Sequence, residues 1–149
     1  MYATEPSTAI TNELHRIAEA MDAADYDTLR SLLVHASLID GTSGHELARG
    51  GEAAVTHFDS LVATHADGTW RTRHVTTNAI IEFDDEGASC RSTYTVFQQT
   101  DRLALQPIIA GRYHDRFADL DGAWRLVERR YFADLIGDLS DHLTITLRS

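Results

Sequence analysis

From Ala9 to Asp22 the apolar residues Ile10, Leu14, Ile17, Ala18 and Met21 recur at spacings of three and four, the signature of one face of an amphipathic helix. The run "DAADYDTLRSLL" then offers Asp25 as an N-cap for a short second helix carrying Leu29, Leu32 and Leu33. "ASLIDGTSG" reads as a short strand falling into a glycine-rich turn. A third helix, from about Gly51 to His65, places Val55, Phe58, Leu61 and Val62 on one side. Beyond Gly68 the period changes to runs of β-branched and aromatic residues broken by turn signals. "DDEG" at 84 to 87 and "DLDG" at 119 to 122 are hairpin connections, and "QTDRLALQP" is a longer excursion. Four strands follow: about Trp70 to Phe83, Ala88 to Gln99, Ile108 to Ala118 and Ala123 to Tyr131. The segment "ADLIGDLSDHL" reads as a closing amphipathic helix.

Helices followed by a meander of long strands predict an α+β fold, with the N-terminal helices packed on the concave face of a curved antiparallel sheet. A bent sheet closed by helices makes a cone-shaped barrel, and a cone encloses a cavity. The length, 149 residues, suits a single domain over the whole chain, residues 1–149, with a core that needs no disulfide or metal staple.

Charge narrows the function classes. Thirteen basic against 23 acidic side chains give a formal charge of −10 with no clustered basic stripe, which disfavours nucleic acid and anionic lipid as partners. All the basic residues are arginine, so neither a Schiff-base lysine nor a Walker-type phosphate lysine is available. Cys90 is the single cysteine, which removes intramolecular disulfides and cysteine zinc sites. No apolar segment approaches 18 residues and the N-terminus lacks a basic region followed by an apolar run; a soluble, cytoplasmic protein is the expectation. No metal or cofactor is expected either. "HEL" at 45 to 47 is not HExxH, because position 49 is arginine, and there is no GxGxxG.

Two residues break the pattern in which they sit. Asp22 lies on the apolar face of the first helix at its C-terminal end, where the helix dipole disfavours an anion. It is either a turn or capping residue, or a carboxylate with a task. His74 opens a strand whose second half, "TTNAIIEF", is apolar and β-branched; it is either a solvated strand-end histidine or one turned into the interior. Together they would be more than either alone, because a carboxylate facing a buried histidine fixes its tautomer and stabilises the imidazolium. Alternation on the third long strand sets Gly111, Tyr113, Asp115 and Phe117 on one face and Arg112, His114 and Arg116 on the other. If the first set faces inward, Tyr113 could donate to a developing oxyanion, and Tyr94 on the neighbouring strand is a second candidate. The alternative for both is a core tyrosine whose hydroxyl reaches the surface. Phe58, Phe97 and Phe132 are expected to shape the cavity, with Phe58 and Phe97 as substrate contacts.

The layout "AEAMDAADYDTLRSLL…ASLID", then "WRTRHVTTNAIIEF", then "AGRYHDRF…DGAWRLVERR" resembles the SnoaL-like branch of the nuclear-transport-factor-two-like superfamily, which includes scytalone dehydratase and the small subunits of ring-hydroxylating dioxygenases. The resemblance runs from about Thr8 to Tyr131. It implies a cone-shaped α+β barrel of the cystatin-like kind, and it places Asp22 and His74 at the positions of the dehydratase aspartate and histidine that form a general base. The two tyrosines that hold a water in scytalone dehydratase correspond here to Met21 and Gly41. Its second pocket histidine aligns near Gln98 or Gln99.

The resemblance therefore implies a cofactor-free lyase, isomerase or cyclase acting on a small apolar carbonyl compound of polyketide or aromatic type. His74 and Asp22 would supply the base, and Tyr113 or Tyr94 the oxyanion contact. A homodimer or homotrimer is expected by the same analogy. The competing expectations are a non-catalytic small subunit held by a large dioxygenase-type partner, with "QQTDRLALQPI" as a contact surface, and a binding module that retains the pocket without turnover.

Overall fold

Ile10, Leu14, Ile17 and Met21 form the buried stripe of helix α1 (Pro6–Asp22), in a computed structural model that describes residues 3–145. Pro6 occupies the first turn, where its missing N–H has no helical partner to lose. Helix α2 (Tyr26–Leu32) starts on Asp25, whose carboxylate accepts from the Thr28 amide at 3.1 Å, the expected N-cap. Helix α3 (Gly51–Leu61) is shorter than the sequence suggested: Val62 is already extended, and bridges to Leu143.

The strands are β1 (Ser37–Asp40), β2 (Glu46–Arg49), β3 (Thr72–Asp84), β4 (Gly87–Gln98), β5 (Gln106–Leu120) and β6 (Ala123–Ile136). They form one sheet in the order β2-β1-β6-β5-β4-β3. The chain thus adopts the expected α+β fold, with two differences. The sheet is open, with β2 and β3 as its edges, and it is mixed, because β1 runs parallel to β6. Strand β2 was not anticipated; its four residues pair with β1 immediately after the glycine-rich turn.

Helix α1 packs on β3 and on β6, two strands that lie on either side of β4 and β5. One helix can touch both only if the sheet curls around it. Register shifts at Thr77/Ile80 in β3, Val96/Phe97 between β4 and β5, and Ala110/Gly111 and Arg116/Phe117 in β5 supply the bends. The β5–β6 hairpin turns on Asp121 and Gly122, both at positive φ (56° and 85°), which matches the right-handed twist of the flanking strands.

The expected closing helix does not form. Ala133 to Ile136 extend β6 against β5, since pairing with Gly111, Ala110 and Ile109 satisfies their backbone across the sheet. Gly137 then donates to the Ile108 carbonyl, and the chain continues as a strap of turns. The Ala63 amide donates to the His142 carbonyl and the Thr144 amide to that of Leu61, which ties the strap to the end of α3.

The core also holds a fully buried ion pair. The inward face of β5 is Gly111, Tyr113, Asp115 and Phe117, and Asp115 accepts both bonds of a bidentate pair from Arg129 on β6, each at 2.9 Å. Both side chains are sealed from solvent, and the guanidinium lies 3.7 Å over the Tyr113 ring. Burial pushes the Asp115 carboxyl up, against the pull of Arg129. Arg129→Met is expected to destabilise the protein by about 3–5 kcal/mol, because it strands a buried carboxyl, whereas adding Asp115→Leu should recover most of that loss. Urea denaturation midpoints of the two single variants and the double variant measure this directly.

Candidate active site

Strand β3 is a sheet edge, so every second backbone amide faces away from β4 and needs another acceptor. At His74 that acceptor is Asp22. The His74 amide donates to both carboxylate oxygens, at 2.9 and 3.0 Å, and the Thr72 hydroxyl donates to Oδ1 at 3.0 Å. The His74 ring completes the set, with Nδ1 2.6 Å from Asp22 Oδ1. A carboxylate receiving three other bonds acts as acceptor, so Nδ1 carries the proton and the Nε2 lone pair is left for other work. Among the described residues Nε2 has no protein partner.

The pair is mostly buried, with side-chain exposures of 5% for His74 and 14% for Asp22. Trp70 is the aromatic centre around it. Its ring centroid lies 6.2 Å from His74, 5.9 Å from Phe58 and 6.4 Å from His142, each edge-on, and its indole N–H points to the Tyr26 hydroxyl at 3.3 Å. A cleft of about 840 Å³ follows the β3 edge beside the pair. His15, Ala18, Glu19 and Asp22 of α1 and the inward residues Thr72, His74 and Gln98 border it on one side. Arg71, Arg73, Phe97 and Leu105 border it on the other.

The remaining candidates sit apart from one another. Phe97 borders the cleft, but from the outer face, since it pairs with Arg73 while inward His74 pairs with Val96. Phe58 is a core residue against Trp70. Tyr94 and Tyr113 face inward and stack on each other at 4.3 Å, in a cluster with Val96, Leu103 and Ile108 that does not border the cleft. Tyr94 donates to the Phe132 carbonyl at 3.2 Å, and burial pushes its hydroxyl up to about 12. Among the described residues no group of three or more His, Cys, Asp or Glu side chains converges as a metal site would require.

A SnoaL-like domain profile matches residues 3–130. The chain belongs to the SnoaL-like domain family. The solved structures it resembles include a protein assigned as a scytalone dehydratase from Novosphingobium aromaticivorans (18% identity over 96% of this chain and 89% of that one, TM-score 0.69). A protein assigned as the β subunit of an aromatic-ring-hydroxylating dioxygenase from the same bacterium gives 19% identity, 87% and 89% coverage and a TM-score of 0.66. A cystatin-like fold protein of unknown function from Nostoc punctiforme gives 21%, 90% and 96%, and 0.70. These likenesses carry the fold alone. None of the curated proteins compared matches the chain.

Within this SnoaL-like domain, sequence reasoning overlooked His142. It falls in the strap that had been read as a helix, and only the long-range bonds of that strap bring it against Trp70. His142 is buried, and its Nδ1 has no partner among the described residues. Burial, reinforced by the charges of His74 and His65, pushes its pKa from 6.5 down to about 4. The unfolded chain therefore binds a proton on this ring below pH 6.5 that the folded chain refuses until about pH 4. Stability should be full above pH 6.5 and fall as the pH drops through that window, by about 3 kcal/mol if His142 acted alone. Unfolding midpoints between pH 4 and 7 are expected to show this fall, and His142→Phe to flatten it.

Proposed function

We propose that this SnoaL-like domain is a cofactor-free general-base enzyme acting on a small, largely apolar carbonyl compound, in the lyase, isomerase or cyclase group. The observation that carries this reading is the 2.6 Å contact between Asp22 and His74 Nδ1 beside an open cleft. Asp22 holds the ring in the tautomer with a free Nε2 and stabilises the imidazolium once a proton is taken from a carbon next to the carbonyl. The cleft volume is within the range of small-molecule sites. An open cleft favours this reading over a non-catalytic subunit held by a large dioxygenase-type partner.

The reaction differs from that of scytalone dehydratase in its electrophilic assistance. Position 41 is glycine, and a Cβ there would stand 2.5 Å from the Phe132 ring, so the space a tyrosine would use is taken by that ring. Tyr113 and Tyr94 do not border the cleft, so neither stands where it could contact a substrate oxygen beside His74. The protein is proposed to act in the cytoplasm, and no helix among the described residues is long and apolar enough to cross a membrane. A second copy is its proposed partner, through exposed apolar side chains of the sheet such as Ile80, Phe83, Leu135 and Ile136.

Exchange of α-protons for deuterium in simple aromatic ketones such as tetralone, followed by proton NMR in D₂O, tests the base. The wild type should accelerate exchange, His74→Ala should abolish the acceleration, and Asp22→Asn should lower it by roughly 10²–10⁴-fold, the usual scale of a positioned acid–base group. Near wild-type rates in both variants would sink the reading.

A further inference from the structure

Acidic side chains outnumber basic ones 23 to 13, so an arginine in this chain rarely lacks a carboxylate. Among the described residues every arginine has one in ion-pair reach except Arg73 and Arg91. Arg73 is exposed and borders the cleft from the outer face of β3, beside its cross-strand neighbour Phe97. Arg71 borders the same rim, just before β3, with φ of 59°, a left-handed conformation uncommon outside glycine. Its side chain is held in place. The Arg71 amide donates to the Thr69 hydroxyl at 3.1 Å, Nε to the Gln99 carbonyl at 3.2 Å and Nη1 to Asp67 Oδ2 at 3.3 Å. Nη2 has no partner among the described residues. Backbone held in sparsely populated conformations clusters at ligand-binding positions. The opposite wall, on α1, carries Glu19, and the charge of Asp22 beside it is taken up by the donors of Thr72 and His74. The strand rim is therefore the cationic side of the cleft.

We infer that Arg73 and Arg71 form an anion subsite at the rim of the cleft, and that the substrate carries a carboxylate bound there. The inference rests on the base reading above and narrows its substrate class to carbonyl compounds with an apolar body and one carboxylate. A guanidinium presents a planar fork of donors that matches a carboxylate, and charge-assisted bonds of this kind are the strong ones. Arg73 brings a guanidinium without a carboxylate, and Arg71 brings a fixed one with a spare Nη2. Phe97 and Leu105, the latter 67% exposed, border the same rim and offer apolar surface to the ring carbons next to the carboxylate. The Cα atoms of Arg71 and His74 can lie at most about 11 Å apart along the chain, so a compound of one or two rings reaches from the base to the rim.

The test uses the full chain and matched probes: tetralones carrying one ring carboxylate, each against its methyl ester, with dissociation constants from calorimetry. At least one carboxylate should bind the wild type roughly tenfold or more tightly than its ester, and Arg73→Gln should compress that ratio to about twofold. Arg71→Gln should lower it as well. Arg91→Gln is the control, because Arg91 also lacks a carboxylate but does not border the cleft, and it should leave the ratio unchanged. Arg73 and Arg91 are both exposed, so neither substitution disturbs the core. Equal binding of acid and ester, no binding of any carboxylate, an undiminished ratio in Arg73→Gln, or an equal loss in Arg91→Gln would overturn the inference. Running the same titrations on His74→Ala separates the two readings. Carboxylate preference does not need the base, whereas deuterium exchange does: preference without exchange in the wild type counts against the base alone, and exchange without preference against the anion subsite alone.

Discussion

The Asp22 carboxylate is the joint on which the site turns. An edge strand leaves amides without a sheet partner, and a helix ending in an anion pays an electrostatic penalty at its C-terminus. In this protein each problem answers the other. The last residue of α1 supplies the acceptor that the β3 edge lacks, and the donors of Thr72 and His74 offset the charge. The same contact sets the position of α1 across the curved sheet and fixes the His74 ring. A substitution at Asp22 therefore acts on the fold and on the chemistry together, which is why binding and exchange need separate readouts.

What the sequence made legible follows from what periodicity can report. It gives faces, so the buried stripe of α1, the alternation on β5 and the four long strands were readable, as was the anomaly of an acid on an apolar face at Asp22. It does not give partners. The meeting of Asp22 with His74, about fifty positions apart, needed a family resemblance, and the union of Asp115 with Arg129 was not foreseen at all. The strap after Gly137 misled for the same reason: its apolar spacing suits a helix, but backbone pairing with β5 and bonds to Gln98 and α3 decide its path. Gln98 came into view only through alignment, and no pattern of residue types encodes its unpaired oxygen.

The interior is divided into two polar systems of different character. Around Asp115, Arg129 and Tyr113 every strong charge is matched and the aromatic rings are stacked, which makes that end a rigid, filled wall. At the other end, His74 is anchored by Asp22 and Gln98 by the Trp70 and Asp141 carbonyls, while Gln98 Oε1 and His142 Nδ1 have no partner among the described residues.

These groups also bear on which reaction the proposed base serves. An elimination that expels hydroxide benefits from an acid to protonate the leaving group. Glutamine has no proton to give from its oxygen, and His142, with its pKa pushed to about 4, is neutral near pH 7 and cannot act as an imidazolium acid. Tyr94, pushed up to about 12, holds its proton more firmly than an ordinary phenol. On the proposed reading the one group able to return a proton is the one that took it. As an imidazolium, His74 can return that proton to a carbon or to a leaving hydroxyl, so on this reading the same ring serves isomerisation and elimination alike.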